Sequence, residues 1–327
     1  MKKQVLRSII MLAFISLSLH ASATVRRVNS APGSSAAYST VQAAHDAASP
    51  NDTLYLEASA FGYGILSATK KLVILGSGYF LSQNPQTQAI NSGSTIQYVT
   101  LGAGSAGTKI AGCTIGYVQI SANDILLTRN YITCAGYYGI SNYGSIGNII
   151  ITQNYILAPY SSYYAIYLNY SASNVLVSNN YIYGYISSGT EFSGIVTNNI
   201  LYGYQAFYNT TYKNNIFSGY FYDNNCTYSN NIADGTQLGN ANNNQQNVAW
   251  TSIFVGATGN SADGQWKLKV GSPAIGAGEN GVDCGMFGGP YPYILSGMPN
   301  IPAIYYFNAP SVPSNTINVS IKAKSHN

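Results

Sequence analysis

Charge is the scarcest commodity in this chain. Of 327 residues only 7% are Asp, Glu, Lys or Arg, and the formal net charge is +4. Several of the positive residues fall in the first seven positions (Lys2, Lys3, Arg7), so the remainder is close to neutral. No basic stripe exists for a nucleic-acid partner, and none is expected. Histidine is equally sparse. Of the three, His20 lies in an N-terminal apolar run and His326 is penultimate, and no CxxC accompanies the four cysteines. Without metal-ligand spacing the chain is expected to hold no metal and no cofactor. Long apolar runs are absent after the first 23 residues, so no membrane span is expected in the mature chain. The low charge does not indicate disorder, because Tyr, Ile and Gly stand where charges are missing and Asn, Ser and Thr can solvate the surface.

The leader has three parts: Lys2, Lys3 and Arg7, then an apolar core over 9–19, then the small residues Ala21-Ser22-Ala23. That order marks a secretory signal peptide cleaved after Ala23, and therefore a secreted or cell-surface protein.

What is abundant is a repeated phrase. Ile149-Ile150-Ile151-Thr152-Gln153-Asn154-Tyr155-Ile156 returns as Val175-Leu176-Val177-Ser178-Asn179-Asn180-Tyr181-Ile182, with further copies before and after. Aligned on its second asparagine, the phrase gives a column at Asn130, Asn154, Asn180, Asn199, Asn215 and Asn231, preceded by Cys113. The steps between these positions are 17, 24, 26, 19, 16 and 16 residues. A constant phrase at variable steps indicates a solenoid whose loops change length while its strands stay in register. Apolar residues five and three before the column (Ile149/Ile151, Val175/Val177) and two after it (Ile156, Ile182, Leu201, Phe217) alternate with period two, the pattern of a strand with one face inward. Sixteen residues are too few for a strand, a crossover helix and a return, but enough for three short strands stacking at about 4.8 Å. An inward asparagine must satisfy its amide, and identical amides can bond to each other up a stack. A second column of turn formers lies six residues earlier, at Asp124, Asn148, Asn174, Ser193, Asn209 and Asn225.

In these phrases the chain resembles the secreted right-handed parallel β-helix proteins of the pectate-lyase-like superfamily, over roughly residues 25–295. The resemblance implies an all-β solenoid with a short N-terminal capping helix. Residues 38–49 read as that helix, with Ser39 and Gln42 as a capping box ahead of the first coil and His45 and Asp46 on a solvated face. Strands are expected at 53–57 and 72–75. The domain reading is a signal peptide over 1–23, the β-helix with its caps over 24–295, and a Pro-rich extension over 296–327 with one edge strand near Ile317, Val319 and Ile321. The stretch 250–295, with Trp250, Trp266 and the run Gly271–Gly278, reads as the last coil and C-terminal cap. Arg129, Gln153, Asn179, Asn198, Asn214 and Asn230 read as outward turn residues. The cysteines take repeat positions, Cys113 in the ladder and Cys134 where other coils have Ala158 or Gly184, so each reads as a small buried filler.

Two constellations can carry function. Glu191 and Asp223 both lie eight residues before a ladder position, with Phe207 between them in the same column, which places them about 10 Å apart. Paired carboxylates at about 6.5–9.5 Å serve an inverting glycosidase, and the resemblance implies a cleft on this side of the coil. The superfamily's lyases need clustered acids and a basic residue; no acidic cluster is found, and Lys213 is the nearest base by sequence. The plainer reading is polar residues on an outward strand position. Tyrosine is the compositional anomaly, at 30 residues. Tyr185, Tyr204 and Tyr220 fall five residues after the ladder on three successive coils, with Tyr160, Tyr163, Tyr164, Tyr167 and Tyr170 in nearby turns. Such rings can stack on sugar faces, or simply stack on each other to stabilise the turn. Three functions compete: a non-catalytic exported monomer binding a polysaccharide or cell-surface glycan along one face, a polysaccharide hydrolase or lyase using Glu191 and Asp223, and a purely structural or adhesive solenoid.

Overall fold

The structure is a computed structural model and describes residues 23–160, 162–309 and 318–326. The leader reading falls outside the described residues apart from Ala23.

The repeat folds as a parallel β-helix. One strand from each turn of the solenoid enters a ten-stranded parallel sheet, running in chain order from Val25–Val28 to Thr227–Ser229. Thirteen further strands form a second parallel sheet. In a representative coil Ile146–Thr152 belongs to the first sheet, while Tyr155–Leu157 and Tyr164–Leu168 belong to the second. Register follows the repeat phrase: Ile149 pairs with Val175, Ile151 with Val177 and Ile156 with Ile182. The alternate side chains of each strand therefore stack inward, and Ile149, Ile151, Ile156 and Ile182 are all fully buried. Parallel strands buried in this way need apolar residues on the inner face only, and the period-two pattern supplies them.

The corner after the first strand is set by two adjacent residues. The first, at Arg129, Gln153, Asn179, Asn198, Asn214 and Asn230, has φ between 55° and 58°. That left-handed conformation is one Asn tolerates better than most residues. The second is the ladder asparagine. Each Nδ2 donates to the Oδ1 of the next rung at 3.0–3.2 Å, from Asn130 through Asn231, and each rung's backbone N–H donates to the same oxygen at 2.8–3.0 Å. All six are fully buried. The ladder begins where Cys113 N–H donates to Asn130 Oδ1. It ends at Asn244, a rung outside the sequence repeat, whose Oδ1 accepts from Asn231. The earlier column forms a second, exposed ladder: Asn174 donates to Asn148, Asn148 to Asp124 and Asn225 to Asn209.

The helix, Val41–Ala47, is capped by Thr40, whose hydroxyl accepts from Ala43 N–H, and not by Ser39. It also does not precede the first coil. The strand Val25–Val28 comes before it and pairs with Thr53–Leu56, so the helix stands in for the remaining strands of that coil. His45 is buried rather than solvated; its Nε2 accepts from Thr69 N–H and its Nδ1 meets Asp46.

The region expected to be a last coil and cap does something else. From about 277 to 298 the chain runs back along the stack, antiparallel to the order of the coils, and its backbone is held by the turn column. Asn230 donates to Ala277 O, Asn198 to Asp283 O, Asn179 to Met286 O and Gly288 O, Gln153 to Pro292 O, and Arg129 to Met298 O. Asn214 accepts from Glu279 N–H. These turn residues were expected to face water; the strap buries Gln153, Asn179, Asn198 and Asn214. Beneath it lies a second core, in which the column Tyr131, Tyr155, Tyr181, Ile200, Ile216 and Ile232 meets Trp266, Phe254 and Met286. Trp266 stacks on Tyr181 with centroids 4.7 Å apart. Gly285 fits here because a Cβ would come within 2.7 Å of Ile216.

Beyond the strap, Ala303–Asn308 and Ser320–Lys324 pair antiparallel with each other, so the extension carries two strands rather than a single edge strand.

Candidate functional site

The tyrosines assemble on the outer face of the third strand in successive coils. The strand register sets Tyr138 against Tyr164 and Tyr164 against Tyr185. Tyr138 stacks on Tyr167 at 5.0 Å and meets Tyr164 at 5.7 Å. Tyr164 meets Tyr185 at 5.8 Å, and Tyr185 meets Tyr204 at 5.3 Å. Tyr137, Tyr163 and Tyr160 extend the patch through the neighbouring turns. Eight tyrosines on four successive coils are thus in continuous ring contact. Most are half-buried, and Tyr137 and Tyr160 are exposed. Partial burial and neighbouring phenols push the Tyr138 and Tyr164 hydroxyls above the ordinary tyrosine pKa, so both stay protonated and able to donate.

Of the three tyrosines singled out by spacing, the structure unites Tyr185 and Tyr204 but not Tyr220. The Tyr220 carbonyl accepts from Gln205 N–H of the preceding coil, while its side chain is 81% exposed and, among the described residues, in no ring contact. Tyr137 and Tyr138 escaped the ladder-based alignment. They sit seven and eight residues after Asn130, whereas Tyr164 sits ten after Asn154 and Tyr185 five after Asn180. The turn between second and third strands changes length, so a count from the ladder loses the column. Alignment on the third strand itself would have recovered it.

A polar cleft of about 540 Å³ opens at the far end of the same strands, lined by Asn169, Tyr170, Ser188, Thr190, Glu191 and Tyr208 among others. Glu191 is exposed and is the one ionisable carboxylate among these lining residues. Asp223 does not line this cleft. Its Oδ1 accepts from Cys226 N–H and Tyr228 OH, both at 3.1 Å. The residue between them in the expected column does not face outward. Phe207, read as lying between the two acids, is fully buried and stacks on Phe192, next to Glu191, at 4.5 Å. Lys213, the nearest base by sequence, is paired with Glu279 of the strap at 2.8 Å. Two further depressions, of about 380 and 590 Å³, lie along the exposed asparagine ladder, one lined by Asn123, Asn148 and Ser173, the other by Asn174, Leu176, Ile195 and Asn209.

Among the described residues no group of three or more His, Cys, Asp or Glu side chains is placed to hold a metal ion, and no helix is long and apolar enough to cross a membrane. The four cysteines are unpaired, three of them buried. Cys113 and Cys134 occupy the repeat positions read from the sequence, with their thiols pushed up to about 12 by burial.

No protein-family model matches the chain, and no curated protein matches it. The site must be read from its own chemistry.

Proposed function

We propose that this chain is an exported, non-catalytic β-helix that holds a polysaccharide or cell-surface glycan along the tyrosine face and the adjoining polar cleft. The observation that carries the reading is the continuous run of tyrosine rings across four coils, with a cleft of hydroxyls, amides and one carboxylate just beyond the strands of three of them. Sugars present apolar C–H faces rimmed by hydroxyls. Aromatic rings beside protonated phenols and Asn, Ser and Thr side chains match both. The coil spacing of about 4.8 Å is close to the length of a hexose unit, so an extended chain can contact several coils at once.

The hydrolytic alternative has less support, because Asp223 is engaged by Tyr228 and lies outside the cleft that contains Glu191. Binding to a glycan array and to insoluble polysaccharides decides the matter. Tyr185→Ala and Tyr204→Ala are each expected to weaken retention by roughly two- to tenfold, the equivalent of about 0.5–1.5 kcal/mol for one aromatic contact. Tyr220→Ala is expected to change little. Unaltered retention of Tyr185→Ala and Tyr204→Ala on every positive glycan would discard the face. Release of new reducing ends that disappears in Glu191→Gln with Asp223→Asn would replace the binder with an enzyme.

A further inference from the structure

A second cleft, of about 420 Å³, lies on another side of the molecule, where the strap, the loop at 84–87 and the last strand converge. Its walls divide by chemistry. Pro85, Phe287, Ile294 and Leu295 give an apolar floor, and Lys267 and Lys324 stand at its edge with His326 beside them. In a chain with 14 Lys and Arg residues in 327, two lysines on one small cleft are a local concentration, and no carboxylate is among the lining residues. Among the described residues neither lysine forms an ion pair. Lys324 lies over the Tyr305 ring at 5.5 Å, which steadies the ammonium without neutralising it. Arg129 adds positive charge behind the cleft, where it donates to the His326 carbonyl. Asp263, the nearby buried acid, is spoken for: it accepts from Asn84, Ser261, Tyr293 and Ser296.

His326 also lines the cleft. Burial and the neighbouring Lys324 hold its ring below the ordinary histidine pKa, so it is neutral near pH 7 and the positive charge on the cleft is that of the two lysines.

We propose that this cleft binds a small hydroxylated organic anion, a sugar acid or sugar phosphate, with Lys267 and Lys324 taking the anionic group and the carbon body resting on Phe287 and Pro85. The cleft is of the size at which small-molecule sites occur. It shares no residue with the tyrosine face, so the inference stands or falls apart from the glycan reading.

The test is calorimetric titration of the full chain with four probes: gluconate, glucose 6-phosphate, glucose and inorganic phosphate. Gluconate or glucose 6-phosphate is expected to bind with a Kd of about 1 mM or tighter, and which of the two binds better identifies the anionic group. Glucose, lacking the charge, and inorganic phosphate, lacking the body, are expected to bind at least about tenfold more weakly. Lys267→Gln and Lys324→Gln, both at the surface, are expected to weaken the better probe by about tenfold each. No binding of either hydroxylated anion overturns the proposal. So does binding that persists unchanged in the double lysine variant, or inorganic phosphate binding as tightly as glucose 6-phosphate.

Discussion

Replacing Asn180 by Ala tests whether the buried amide column holds the coils together. The side chain makes five hydrogen bonds. Its Nδ2 donates to Ile151 O, Ser178 O and Asn199 Oδ1, at 2.8, 2.9 and 3.0 Å. Its Oδ1 accepts from the backbone and side chain of Asn154, at 2.8 and 3.0 Å. Not all of these partners are stranded by the change. Ser178 O still accepts from Gln153 N–H, Asn199 Oδ1 still accepts from the backbone of residue 180, and Asn154 Nδ2 keeps Leu127 O and Thr152 O. The Asn154 backbone N–H loses its acceptor in a site closed to water, a cost of about 1–3 kcal/mol. Adding the weakened remaining bonds and a small void gives a loss of about 3–5 kcal/mol. Asn180 itself is not among the left-handed residues, so alanine introduces no backbone strain. Asn174→Gly is the matched control. It removes one bond of the exposed ladder, Nδ2 to Asn148 Oδ1 at 2.7 Å, at a left-handed position that glycine accepts, and should cost no more than about 0.5 kcal/mol. Denaturant midpoints, with hydrogen exchange at the Asn154 amide as the local probe, measure both. If Asn180→Ala costs no more than Asn174→Gly, or the Asn154 amide exchanges no faster, the ladder is an ornament of the turn rather than its support.

Gly184, Gly203 and Gly219 stack at φ of 128°, 125° and 109°, and a Cβ on Gly203 would come 2.7 Å from Gly184 O. Gly203→Ala should cost about 2–4 kcal/mol in unfolding free energy, distinctly more than Gly144→Ala, where φ is 78° but nothing lies within 4 Å. Burial holds the thiols of Cys113, Cys134 and Cys284 at about 12. Only about one molecule in ten thousand then carries each thiolate at pH 8, and thiol titration should reach these three cysteines only after denaturation; rapid labelling of the native protein would contradict the burial. Desolvation raises the Asp52 pKa, but the N–H groups of Thr24 and Ser49 and the Arg26 guanidinium outweigh it and leave the carboxyl below its ordinary value. A depressed folded-state pKa stabilises the protein above the unfolded value and ceases to do so as pH falls through the folded one. Asp52→Asn should therefore flatten the stability profile below about pH 4, and an unchanged acid limb would show that Asp52 does not contribute.

The strands and the ladder were legible because stacking imposes one rule on every coil. Ile151, Val177 and Val196 are interchangeable occupants of one inward column, so recurrence exposes it. What recurrence could not convey is what the outside of the column meets. Asn179 and Gln153 look like solvated turn residues from their neighbours in sequence, yet their partners, Met286 and Pro292, lie over a hundred residues away in a stretch with no repeat. His45 was misjudged for the same reason, since Thr69 closes over it from another coil. The tyrosine face was half visible: Tyr185 and Tyr204 share an offset from the ladder, whereas Tyr138 and Tyr164 do not, because their turns have other lengths. Asn244 follows a loop that breaks the phrase, so its place as the final rung is a fact of three dimensions alone.

The returning segment changes how such a molecule comes apart. A stack whose layers touch only their neighbours can fray from either end, one layer at a time. Here a single stretch of about twenty residues bonds to Asn230 near one end and to Arg129 five layers back, with partners as far as 169 residues apart in sequence. Peeling the terminal layer therefore drags on layers in the middle, and opening becomes more nearly all-or-none than the repeat alone would allow. The timing of assembly follows too. A chain emerging N-terminus first can wind its coils as they appear, but Ile200, Ile216 and the row of turn amides stay bare until residue 298 has arrived to close over them.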